Sequence, residues 1–60
     1  MSKIKDAAEI SLKLCDYITF KMETEDDNVY DELYECLYNH LRLYDSNTLN
    51  NLNKNTDDLI

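Results

Sequence analysis

The sequence predicts an all-α fold: an antiparallel helical hairpin with a short third helix, pairing with a second copy into a helical-bundle homodimer. Three observations lead there. Glycine and proline are both absent, and sheets need turn residues, glycine above all in two-residue hairpins. Two long segments carry apolar residues at the 3.6-residue period of a helix. Between them, residues 23–28 (ETEDDN) hold no apolar side chain, and the apolar arc shifts by roughly 80° across that gap. A single helix from 3 to 44 is the rival, since no residue type forbids it; the phase shift favours a turn.

The first helix should run from about 3 to 23, with Ser2 as its cap. Its apolar face holds Ile4, Ala7, Ala8, Ile10, Leu14, Cys15, Tyr17, Ile18 and Met22, with Leu12 at the margin. Ile4, Ala8, Ser11, Cys15, Ile18 and Met22 follow alternating steps of four and three, a coiled-coil-like seam. Phe20 falls among the charged residues instead. It is either a stray ring or an exposed contact anchor.

Thr24, with Asp27 three residues later, approximates a capping box for the second helix, expected at about 25–44. Glu25, Asp26 and Asp27 would then sit where the helix dipole favours negative charge. On this helix Tyr30, Leu33, Tyr34, Leu37, Leu41 and Tyr44 form one stripe, and Val29, Cys36, His40 and Leu43 form a second beside it. The combined arc covers roughly 220°, where one packing partner needs about 100°. The second helix should therefore want two neighbours. If the chain turns near residue 25, facing residues are Met22 and Val29, Ile18 and Leu33, Leu14 and Leu37, Cys15 and Cys36, and Ala8 and Leu43.

Ser46 can cap a third element over about 47–54, with Leu49 and Leu52 at helical spacing and Leu59 or Ile60 beyond. Its asparagines favour caps and turns over helix interiors, so a frayed end, or a disordered tail over 47–60, is the alternative. All 60 residues are read as one small helical domain. A chain of this size buries only about 60% of its unfolded surface, so pooling apolar surface with a second copy is a natural remedy.

The net charge is −7, from 13 acidic against 6 basic residues. Phosphate binding draws its affinity from Lys and Arg, so neither nucleic acid nor an anionic membrane is expected as a partner. The complement of this charge is a basic protein surface. Residues 1–10 lack the apolar core of a signal peptide, and no run approaches the roughly 20 apolar residues of a membrane span. The expected location is the cytoplasm, with the cysteines as reduced thiols.

Cys36 and His40 lie four apart, and Cys15 could face them. Thiolate and imidazole can share zinc, but only three ligands are visible where structural sites use four. Buried thiols beside a half-buried histidine are the simpler reading, and no metal or cofactor is expected. The same residues as a Cys–His nucleophile would need an oxyanion site and a cleft. No catalytic residue is assigned, and an enzyme is not expected.

Four of the five tyrosines (Tyr30, Tyr34, Tyr38 and Tyr44) lie on the second helix. Tyrosine combines a large ring with a hydroxyl that stays wet, and it is enriched at interfaces. Tyr30, Leu33, Tyr34, Leu37, Tyr38, Leu41 and Tyr44 are therefore the expected dimer or partner interface. Glu23, Asp26, Asp27, Asp31, Glu32 and Glu35 form the densest carboxylate cluster and the expected partner-binding surface. Such regular carboxylates could imitate the phosphate track of DNA in a basic channel, or could simply solubilise a small apolar protein.

In size, acidity and lack of active-site residues the chain resembles the small inhibitors that phages carry against host proteins. The likeness covers no alignable segment. It implies a non-enzymatic inhibitor or regulator of a larger protein, acting in the host cytoplasm. The alternatives are an assembly subunit that oligomerises through its apolar face, or a metal-dependent switch through Cys15, Cys36 and His40.

Overall fold

A computed structural model describes residues 3–59 as three helices: α1 (Lys3–Met22), α2 (Asp27–Leu41) and α3 (Ser46–Leu59). The expected Ser2 cap and the side chains of Ile4 and Ile60 lie outside the described residues. The all-α class holds, and the chain turns between α1 and α2 as the apolar gap requires.

The stop of α1 is a Schellman motif. The Thr24 N–H donates to the Thr19 carbonyl at 3.2 Å and the Glu23 N–H to Phe20 at 3.1 Å, which satisfies carbonyls orphaned at the helix end. The motif needs one left-handed residue, normally glycine. With none in the chain, Glu23 takes that conformation at φ 56°.

The expected Thr24/Asp27 capping box is not formed. Asp26 caps α2, its carboxylate accepting from the Asn28 N–H at 2.9 Å, while the Thr24 hydroxyl accepts from the Asp26 N–H at 3.3 Å. Because α1 ends in a left-handed turn, the cap falls two residues later than the sequence pattern suggests. α2 also ends earlier than residue 44. The N–H groups of Leu43 and Tyr44 donate three residues back, to His40 and Leu41, a tightening typical of a final turn. Asp45, rather than Ser46, caps α3 by accepting from the Thr48 N–H at 2.7 Å. A carboxylate here satisfies the dipole as well as the orphan donor.

α3 is 14 residues long, well beyond the expected 47–54. Tertiary packing overrides the weak propensity of its asparagines. Leu49 is fully buried and Thr56 nearly so, with the Thr56 hydroxyl donating to the Leu52 carbonyl at 2.7 Å. Lys13 of α1 reaches Asn53 at 2.7 Å and Asp57 at 2.6 Å, fastening the later turns.

Within one chain the helix with two neighbours is α1. Both α2 and α3 pack along α1, α2 antiparallel and α3 parallel to it, while the two flanking helices scarcely meet each other. The physical reason lies in α1's small side chains. Ala7, Ser11 and Cys15 are fully buried and Thr19 nearly so, and small residues let neighbouring backbones approach closely. The Ser11 hydroxyl donates to the Ala7 carbonyl at 2.7 Å and Thr19 to Cys15 at 2.8 Å, so neither is left unsatisfied.

The buried set corrects the expected seam. Ala7, Ile10, Ser11, Cys15 and Thr19 are buried, Ala8 and Ile18 are half-buried, and Met22 is 59% exposed. Ala7, Ile10, Leu41 and Leu49 make the core, with Leu14, Leu37, Tyr38, Tyr44 and Leu52 packed around it. All three helices meet at that cluster.

Candidate interaction surface

The hairpin tip and the outer side of α2 carry the carboxylates. Glu23, Asp26, Asp27, Asp31, Glu32 and Glu35 are all exposed. Among the described residues, ion pairs join Lys13 to Glu9 and Asp57, and none engages these six. Asp26 alone has a structural duty, as the cap. A cluster left this open raises a local negative potential that a basic surface can meet.

The tyrosine stripe is spent largely within the chain. Leu41 is buried in the core, with Leu37, Tyr38 and Tyr44 packed against it. Tyr30 donates its hydroxyl to Asp16 at 2.8 Å. That bond to a carboxylate, followed by burial and the negative charge itself, raises the Tyr30 phenol to about 12. Tyr34 and Tyr38 stack with ring centres 6.1 Å apart. Tyr30, Leu33, Tyr34, Leu37, Tyr38 and Tyr44 remain half-buried, so each still offers some surface. The second stripe is more open: Cys36 and His40 are exposed, and Leu43 is 70% exposed.

Cys15, Cys36 and His40 are not brought together. The α1–α2 register places Cys15 under the Tyr30–Tyr34 turn, where its thiol donates to the Tyr30 carbonyl at 3.3 Å. Burial, and then the neighbouring Asp16, push that thiol up from its ordinary value. Cys36 faces outward, and both cysteines are free. The His40 ring meets the Tyr44 hydroxyl at 2.8 Å, edge to face. Among the described residues, no three His, Cys, Asp or Glu side chains are placed to hold a metal ion.

Phe20 is 75% exposed, as its angle among charged residues requires. Sequence reasoning missed its surroundings. Because α3 continues to Leu59, that residue reaches the end of α1 and lines a shallow concavity with Asp16, Tyr17, Phe20 and Lys21. Leu59 is itself 53% exposed. A second concavity on the other side of Phe20 is lined by Thr19, Lys21, Glu23, Thr24 and Glu25. Lys21 folds back over the Tyr17 ring, 5.6 Å from its centre. Only the length of α3, concealed by its asparagines, could have signalled this patch.

No described helix is long and apolar enough to cross a membrane. Neither a family model, a curated protein nor a solved structure matches the chain.

Proposed function

We propose that this protein is a small, acidic, non-enzymatic binding module that inhibits or regulates a larger protein through a basic surface. The observation that carries this reading is the set of exposed, unpaired carboxylates on the hairpin tip and outer α2. Solubility needs only net charge, wherever it sits; here seven of the thirteen carboxylates, Glu25 included, fall between residues 23 and 35, with six elsewhere. A one-sided cluster steers and orients a basic partner. The test compares two double reversals of equal charge change, Glu32→Lys with Glu35→Lys and Asp6→Lys with Asp58→Lys, on an immobilised polylysine surface. The α2 pair should weaken retention severalfold more than the remote pair at a temperature where both variants are folded, since Asp6 is half-buried in the first turn of α1 and its reversal lowers the melt somewhat. Equal losses would reduce the charge to a solubilising role. Where the basic target is itself a DNA-binding protein, duplex DNA should compete for the same site.

A second reading, assembly through a homodimer, is favoured by the open stripe of α2. Leu43, with the half-buried Leu33 and Leu37, would supply the contact. The two readings are compatible, since the dimer would occupy the apolar stripe and leave the carboxylate tip free.

A further inference from the structure

We infer that the end of α1 is a docking surface for a cationic segment of a partner protein that presents an apolar side chain, with Phe20 as the anchor. The inference deepens the reading of an acidic binding module and rests on it. Phe20, Met22 and Leu59 are 75%, 59% and 53% exposed, and aromatic rings such as Phe are enriched at protein interfaces relative to the rest of the surface. The charge around it selects the occupant. Glu23 and Glu25 line the concavity on one side of Phe20; on the other, Asp16 accepts from the Tyr30 hydroxyl and shares the lining with Lys21, so the glutamates carry the selection. Lys21 is the one cation lining either concavity, and it lies over the Tyr17 ring.

A second copy would bring another rim of carboxylates against this one, and like charges set face to face repel. An anionic membrane is opposed for the same reason. A segment with Lys or Arg flanking an apolar side chain satisfies both halves of the surface. Its cations meet the glutamates, and its apolar group covers Phe20 and Leu59.

The experiment titrates the full chain with two synthetic helical 14-residue peptides of equal positive charge. One is built of Lys and Leu, the other of Lys and Gln. Binding is followed by backbone amide shifts for the wild type, Phe20→Ala, and the Glu32→Lys/Glu35→Lys variant. An exposed ring can be removed without unfolding the protein, and an unchanged thermal melt of Phe20→Ala confirms it. The inference predicts shifts centred on Tyr17, Phe20, Met22 and Leu59. It also predicts about tenfold weaker binding of the Lys/Leu peptide by Phe20→Ala, with no such loss for the Lys/Gln peptide.

Unchanged Lys/Leu affinity in Phe20→Ala, together with a loss in the charge-reversed variant, would overturn the anchor and leave the acidic module standing. Failure of both peptides to bind the wild type would overturn both. Shifts at Phe20 that grow with protein concentration alone would overturn the inference in favour of a second copy.

Discussion

Glu23 holds a left-handed backbone conformation at φ 56° that closes α1, and a side chain with a Cβ costs about 1 kcal/mol there. Glu23→Gly should therefore raise the thermal midpoint by roughly 4–8 °C, the effect of about 1 kcal/mol on a chain of this size. A lower midpoint would mean that the Glu23 side chain contributes more than its strain costs. Tyr30 gives a pH signature. Its folded pKa is raised to about 12 by the bond to Asp16, above an unfolded value near 10. The stabilisation is fully present below about pH 10 and is lost as pH rises through the folded value. Ultraviolet titration should show one tyrosine ionising after the others, and Tyr30→Phe should abolish the late step; a wild-type curve without it would remove the Asp16 bond from the account. The cysteines should separate by reactivity. Exposed Cys36 should react with a disulfide reagent in the native protein, and buried Cys15, with its raised pKa, only on unfolding. Two fast thiols would place Cys15 at the surface.

Among the elements, α1 rather than α2 organises the molecule, and the difference is instructive about what periodicity reveals. The breadth of an apolar arc measures how much surface could be covered. Side-chain size decides which helix is approached from both sides, and α1 has the smaller set in Ala7, Ser11 and Cys15. The hairpin, the position of its turn and the exposure of Phe20 were legible because they follow from the spacing of apolar and acidic residues. The Schellman stop was not, since no glycine marks it and a glutamate fills the position. The length of α3 was hidden for a different reason. Its helical state comes from Leu49 and Thr56 packing on α1 and from Lys13 holding Asn53 and Asp57, long-range contacts that asparagine propensities do not register. The patch formed by Tyr17, Phe20 and Leu59 was lost with it. α3 should accordingly be essential to stability. Leu49→Ala should cost about 2–5 kcal/mol, a large share of what so short a chain can hold. A small change in the melt would mean that the hairpin stands without its third helix.

At the scale of the whole molecule, charge and apolar surface divide the exterior. Seven of the thirteen carboxylates fall between residues 23 and 35 on the tip and outer α2, the Phe20 patch lies at the end of α1, and Leu43 with the second α2 stripe remains open. We propose that a second copy covers that stripe and that a basic partner meets the tip. Leu37→Asp, at the margin between core and stripe, should abolish assembly and destabilise the fold together; an unchanged melt would remove Leu37 from both. The most direct test of this division is absolute mass by light scattering behind a sizing column, from low to high micromolar concentration. Self-pairing predicts a species of about twice the 7.1 kDa chain mass, stable across that range. A single 7.1 kDa species throughout would contradict self-pairing and leave the open stripe of α2 as a second face for the partner.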